Sequence, residues 1–171
     1  MSEVCIRDGR SCDGATVLAL WDAAIAWLAQ RGQPDQWGTE PASSRDRTRE
    51  MVDQWVIGSG LRIAELEGKA VGASVIGPVP PAHVPPTPRA ETYVLFLISD
   101  RDHAGMGIGA ELVRRAAAEA REAGSEVLRV DCWAGAPPLV AWYERQGFVR
   151  SDSFTVEVRG AWHGQVFEMQ L

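Results

Sequence analysis

The sequence predicts a mixed α/β fold in one domain, and three observations carry that prediction. Helix-like and strand-like stretches follow one another in the order β-α-α-β-β-β-α-β-α-β-β. The length of 171 residues suits one domain able to bury a core of its own. No internal repeat, linker or low-complexity tail divides the chain.

Ser2–Arg7 reads as a short first strand. Val17, Leu18, Trp21, Ala24, Ile25 and Leu28 recur at helical spacing, and Gly32 after Arg31 is the stop signal. Gln33–Ala42 contains Pro34, Trp37, Gly38 and Pro41, which is loop chemistry holding an aromatic. Ser43–Trp55 reads as a second helix, capped by Ser43 or Ser44, with Met51, Val52 and Trp55 as its apolar stripe. Arg45, Arg47 and Arg49 interleave there with acids, as on a solvated face. Leu61–Leu66 and Ala70–Ile76 are strands around a Glu67-Gly68-Lys69 turn. The prolines clustered between Pro78 and Pro88 make the following connection stiff and extended.

Glu91–Ile98 is the strongest strand of the chain. Polar Ser99–His103 follows, then Gly105, Gly107 and Gly109, then a helix whose apolar residues Ile108, Leu112, Ala116 and Ala120 stand four apart. Gly124 ends that helix, and Glu126–Trp133 is the next strand. Pro137 and Pro138 open a helix running to Gln146, and Gly147 closes it. Phe154–Val158 and Gln165–Leu171 form a final antiparallel pair around a Gly160–Gly164 turn.

Charge and composition exclude several functions. The 17 basic and 23 acidic residues leave a net charge of −6, which argues against a coat for a phosphate backbone and favours a cationic small molecule or peptide. No apolar run approaches a membrane span, and Met1–Arg10 lacks the apolar segment of a signal peptide, so the expected location is cytoplasmic with no membrane partner. Cys5, Cys12 and Cys132 are odd in number and lack metal-like spacing, which fits a reducing compartment. His83, His103 and His163 lie far apart, so no metal is expected. Lys69, the only lysine, sits at a turn, unsuited to a Walker or Schiff-base role.

The most informative segment is Leu97–Val113, LISDRDHAGMGIGAELV. A strand runs into a polar loop, then alternating glycines, then an amphipathic helix. Backbone N–H groups at such a helix start, approached closely because glycine carries no side chain, form a cradle for phosphate oxygens. Gly105-x-Gly107-x-x-Ala110, with Asp131 ending a later strand, also fits the dinucleotide fingerprint of a nucleotide-cofactor oxidoreductase. Two features count against that reading: Asp100–Ala104 separate the glycines from their strand, and only a hairpin follows Gln146.

Leu95–Val113 resembles the acetyl-CoA loop of the GNAT superfamily of acetyl-CoA-dependent N-acetyltransferases, with its pattern Arg/Gln-x-x-Gly-x-Gly/Ala. Gly107 and Gly109 fall on the glycines, while Ala104 stands where Arg or Gln leads. Val127–Val130 resembles the family's next strand, and Leu139–Phe148, LVAWYERQGF, resembles the helix ending Y-E-K-x-G-F. Ala136 stands where an Asn is frequent. The element order fits as well, so the resemblance covers nearly the whole chain.

The resemblance implies one GNAT-like acetyltransferase domain over residues 1–171, with a mixed, mostly antiparallel sheet, helices on both faces and a splayed central strand pair. It implies acetyl-CoA as co-substrate, no metal, and direct attack on the thioester by a primary amine of a small molecule or peptide in a ternary complex. Ala104, Gly105, Met106, Gly107, Ile108, Gly109 and Ala110 would hold the pyrophosphate, and Leu97, Ile98 and Ser99 the pantetheine arm and thioester. Tyr143 falls on the general-acid tyrosine, and Glu91 on the catalytic glutamate of the histone-acetyltransferase branch. Glu40, Asp131 and His163 are further candidates for the base. Trp37 and Glu40 in the helix–helix loop, and Trp162 in the last hairpin, would select the acceptor, since an aromatic beside a carboxylate suits an ammonium group. Ala104 and Ala136 keep open a non-catalytic acyl-CoA-binding or regulatory module. Monomer and homodimer are both compatible with the sequence.

Overall fold

A computed structural model describes residues 3–171; the Ser2 end of the expected first strand lies outside the described residues. The elements are β1 (Cys5–Asp8), α1 (Gly14–Gln30), α2 (Asp46–Ile57), β2 (Leu61–Leu66), β3 (Lys69–Gly77), β4 (Glu91–Ser99), α3 (Ile108–Glu122), β5 (Val127–Trp133), α4 (Pro137–Arg145), β6 (Val149–Glu157) and β7 (Ala161–Gln170). Single 3-10 turns cover Ser11–Asp13, Ala42–Ser44 and Arg101–His103. The glycine stops expected for α1, α3 and α4 hold. Beyond each glycine the chain folds back, with Gln33 N–H donating to Leu28 O (3.0 Å), Ser125 N–H to Ala120 O (3.0 Å) and Phe148 N–H to Tyr143 O (3.3 Å).

The strands form one seven-stranded sheet in the order β1-β2-β3-β4-β5-β7-β6. β1 with β2, β2 with β3, β5 with β7, and β6 with β7 are antiparallel. β4 and β5 are the parallel pair, in register over Glu91–Val94 against Val127–Val130. The parallel register ends at Val94↔Val130, although β4 runs on to Ser99 and β5 to Trp133, in a mixed, mostly antiparallel sheet.

The chain divides into two compact units: one holds the chain through Val75 with Phe96–Leu112, the other Ile76–Leu95 with Val113–Leu171. In the first, helices cover both faces of the sheet. Phe96 meets the rings of Trp21 (4.7 Å) and Trp55 (5.0 Å) from α1 and α2, while Leu97 packs with Ile108 and Leu112 of α3. Neighbouring strand residues point to opposite faces, so this alternation places α1 and α2 on one side and α3 on the other. Trp37 adds an edge-on ring 6.0 Å from Trp21.

The 20-residue stretch Ser11–Gln30, within which 18 consecutive residues reach a mean hydropathy of 1.3, is long and apolar enough to cross a membrane, which corrects the expectation that no run approaches that length. Alanines between larger apolar residues raise its hydropathy without forming an unbroken run of large side chains. In the structure its Val17, Trp21, Ala24, Ile25 and Leu28 are buried.

α2 starts later than expected. Ser43 does not cap it; its hydroxyl donates to Asp22 Oδ2 (2.5 Å) and its N–H to Asp22 Oδ1 (3.0 Å), tying the loop back to α1. Ser44 Oγ donates to Pro41 O (2.8 Å), and the helix begins at Asp46. Met51 is exposed, and the buried positions are Thr48 and Val52. Arg7 joins β1 to its neighbours with both terminal nitrogens on Asp13 (2.7 and 2.9 Å) and Nε on Glu65 (2.6 Å). Those Arg7 bonds hold the buried Asp13 carboxyl below its ordinary value, against the upward push of burial.

α3 lies against β3 because position 72 is glycine. A Cβ there would fall 2.7 Å from Ile108 Cγ2 and 2.9 Å from the Ile98 carbonyl oxygen. Gly72→Ala is therefore expected to destabilise the protein by about 1–3 kcal/mol through overpacking, as read by urea unfolding. A loss below about 0.5 kcal/mol would mean that Ile108 swings aside freely.

In the second unit the last hairpin is longer than expected. Its register runs to Glu157↔Ala161, and Val158 N–H donates to Gly160 O (2.9 Å), so the turn is at Arg159 and Gly160. Trp162 and His163 therefore belong to β7 and not to a turn. Gly164 serves packing: a Cβ there would fall 2.2 Å from Phe154 Cζ. Beneath this hairpin, Arg129 is wholly buried, with its guanidinium on Glu91 Oε2 (3.1 Å), Asp152 Oδ2 (3.2 Å) and the Pro85 carbonyl (3.0 Å). The last contact anchors the proline-rich connection.

Candidate functional site

The glycine loop belongs to the first unit. Leu97 is half-buried on the α3 side and Ile98 is buried; Ser99 ends β4. Asp100 N–H then donates to Val71 O (2.8 Å), pinning the loop to β3. The Asp100 carboxylate holds the 3-10 turn, accepting from Asp102 N–H (3.0 Å) and meeting His103 Nδ1 at 3.0 Å. Ala104, Gly105, Met106 and Gly107 are exposed. Gly105 (φ 84°) and Gly107 (φ 76°) adopt the left-handed region, and an added Cβ at either would meet nothing within 4 Å. Their backbone is thus open to an approaching group, in a conformation glycine adopts at little cost.

The first bond of the following helical turn runs from Glu111 N–H to Gly107 O (3.0 Å), so the N–H groups of Ile108, Gly109 and Ala110 precede the helical ladder. Ile108 itself is buried and fixes the turn against the sheet. An open backbone and a run of free helix-start donors fit a pyrophosphate. The missing leading side chain at Ala104 leaves that set of donors intact. The guanidinium this loop does carry is Arg101, stacked 4.1 Å over the Trp27 ring, which Arg31 also covers at 3.9 Å. Neither arginine has a carboxylate partner among the described residues.

The acceptor candidates fall in both units. Trp37 joins the Trp21, Trp55 and Phe96 rings, and Glu40 is exposed, accepting from Ser44 Oγ at 3.2 Å. Trp162 stacks on Phe154 (5.9 Å), which in turn meets His83 (4.7 Å). The sequence singled out Trp37 and Trp162, and missed the rings that complete each cluster.

Tyr143 lies on the buried face of α4, with its ring on Phe167 (5.3 Å), Phe148 (5.8 Å) and Trp142 (5.0 Å). Burial, then the nearby Cys132 and Asp131, push its phenol above the ordinary value. Its hydroxyl makes no hydrogen bond among the described residues, yet it is absent from the sealed unpaired atoms, which are Trp21 Nε1 and Arg129 Nε. Burial also pushes the Cys132 thiol up to about 12, which keeps it a neutral neighbour.

Glu91 opens β4 and is held by Arg129, so the structure places the expected base in an ion pair. Two residues on, the buried Tyr93 hydroxyl donates to Asp131 Oδ1 at 2.5 Å. Burial raises the Asp131 carboxyl, opposed by the Tyr93 hydrogen bond and by His83. His163 pairs with Thr155 Oγ1 at 2.9 Å on the hairpin. No group of His, Cys, Asp and Glu suited to a metal ion exists among the described residues.

Solved structures share this architecture. The ribosomal-protein-alanine N-acetyltransferase of Brucella melitensis aligns at TM-score 0.71 and 21% identity, over 98% of this chain and 99% of that one. An acetyltransferase of the GNAT family from Listeria monocytogenes aligns at 0.75 and 19%, over 98% and 95%. yncA of Salmonella typhimurium, solved with its cofactor acetyl-CoA, aligns at 0.69 and 18%, over 99% and 95%. No curated protein matches the sequence. The fold is thus that of the acetyltransferases, and the sequence carries their signature: residues 21–148 match the acetyltransferase (GNAT) family. The chain belongs to that family. The dinucleotide reading falls with this result, and Asp131, its ribose ligand, is engaged instead by Tyr93.

Proposed function

We propose that the protein transfers the acetyl group of acetyl-CoA to a primary amine of a small molecule or peptide. The observation that carries the reading is the open Gly105–Gly107 backbone ahead of the free N–H groups of Ile108, Gly109 and Ala110. These groups bind the pyrophosphate, with Met106 and Ala104 flanking it. Leu97, Ile98 and Ser99 present the end of β4 to the pantetheine arm. When bound, acetyl-CoA supplies an activated thioester. Tyr143 holds its proton at Oη and delivers it to the leaving sulfur. Trp37 and Glu40 in the first unit, and Trp162 in the second, are the residues assigned to acceptor selection, since ring faces and negative charge suit a cationic amine. Free Cys5, Cys12 and Cys132 suit a cytoplasmic location.

Acetyl-CoA at a hundred times its Kd is expected to stabilise the fold by about 2.7 kcal/mol, a rise in Tm of about 5–10 °C. Thiol release should follow when amines are supplied. If millimolar acetyl-CoA moves neither the Tm nor the Gly107 amide resonance, the reading is wrong. Ala104 and Ala136 favour a second reading, a binding module without turnover. Stabilisation by acetyl-CoA with no thiol release across an amine panel would select it.

A further inference from the structure

We propose that Asp131, held by the Tyr93 hydroxyl, receives the acceptor's ammonium group and removes its proton, beside an aromatic wall of His83, Phe154 and Trp162. The proposal rests on the acetyltransferase reading and names the group that reading left open. Asp131 is the first residue of β5 past the last parallel pair, Val94↔Val130, so it stands where β5 has lost β4 but still pairs with Val166 of β7. Tyr93 and Leu95 alternate onto one face of β4, where they pack with Val84, Val166 and Phe154. Phe154 then links His83 and Trp162 by ring contacts. Oδ1 is occupied by Tyr93 at 2.5 Å. Oδ2 has no hydrogen-bond partner among the described residues and is not one of the sealed atoms, so it is the free acceptor.

A carboxylate fixed by one oxygen and open at the other, beside ring faces, suits a primary alkylammonium carrying an apolar or aromatic group. One N–H bond of the ammonium breaks towards Asp131 Oδ2, leaving the nitrogen lone pair, and that proton passes on to solvent. The C–N bond forms as the C–S bond breaks. The second nitrogen proton leaves for solvent as the amide forms, Tyr143 gives its proton to the sulfur and regains one from solvent, and the net release is one proton, so charge and atoms balance without oxidation or reduction. The titratable groups around the carboxyl are Tyr93 and Glu91 of β4, His83 of the preceding connection, Arg129 and Cys132 of β5, and Tyr143 of α4. Burial raises the Asp131 carboxyl, which brings it nearer the amine range and strengthens it as a base.

The test uses the full chain with 2-phenylethylamine as probe. Asp131→Asn should lower kcat/KM about a hundredfold and abolish its acid limb. It should weaken amine binding at least tenfold by calorimetry, with the Tm rise on acetyl-CoA unchanged. Tyr93→Phe keeps the carboxyl but removes a bond that favours its charged form, so the acid limb should move to higher pH. Unchanged amine binding in Asp131→Asn, an unmoved limb in Tyr93→Phe, or loss of the limb in Glu91→Gln instead would overturn the proposal. If the wild type ignores acetyl-CoA but its Asp131 carboxyl resonance still responds to the amine, the acetyltransferase reading fails while the ammonium site stands.

Discussion

Arg129→Ala is expected to lower the folding free energy by about 3–5 kcal/mol, the cost of removing one partner from a buried ion pair. The guanidinium is wholly buried and holds three acceptors that no other group among the described residues serves: Glu91, Asp152 and the Pro85 carbonyl. Truncation strands the Glu91 carboxylate against the sheet and frees the proline-rich connection. The three partners should rank by exposure. Asp152, whose side chain is 45% exposed, is largely solvated, so Asp152→Asn should cost less than about 1 kcal/mol. Glu91, at 12%, should cost more when changed to Gln, about 1.5–3 kcal/mol, because a charge-assisted bond is lost where water cannot replace it. Urea unfolding of the three variants checks the order. A loss in Arg129→Ala below that of Asp152→Asn would show that the buried charge does not hold this unit together.

What the sequence made legible was local. The stripe Ile108, Leu112, Ala116 and Ala120 is buried at every position, because a four-residue spacing alone decides which face of α3 turns inward. β2 needed only its own residues and a Glu67-Gly68 turn. The misplaced boundaries have partners far along the chain. Ser43 left its expected cap position for Asp22, 21 residues earlier, and Gly164 is glycine because of the Phe154 ring. Neither contact leaves a local mark.

The site divides in the same way. The open glycine turn ahead of α3 was readable because it is a backbone feature, written in consecutive residues. The partners of the two carboxylates were not, because Glu91 and Asp131 look alike until the parallel register assigns them neighbours. Tyr93 sits opposite Arg129, and that offset hands Glu91 to the guanidinium and Asp131 to the phenol. A signal did exist in VLRVDCW, where Arg129 and Asp131 fall two apart in an otherwise apolar strand and so share a face. Two polar residues on one face of a buried strand need partners.

Tyr143→Phe should lower kcat about a hundredfold while leaving acetyl-CoA affinity intact. General acid catalysis contributes roughly 10²–10⁴, and a thiolate whose thiol has a pKa near about 8.5 is already a tolerable leaving group, which sets the effect at the lower end. The substitution is clean because the ring does the packing. Contacts with Phe167, Phe148 and Trp142 survive the loss of one oxygen, and that oxygen holds no other group in place. Burial keeps the phenol protonated, so across about pH 6–9 the wild type always has the proton to give. The loss should therefore be the same at every pH in that range, with no new limb in the profile. Thiol release measured against pH, beside the Tm rise on acetyl-CoA, reads both quantities. Undiminished turnover would leave Tyr143 a packing residue, and a vanished Tm rise would move its role from proton donor to cofactor contact.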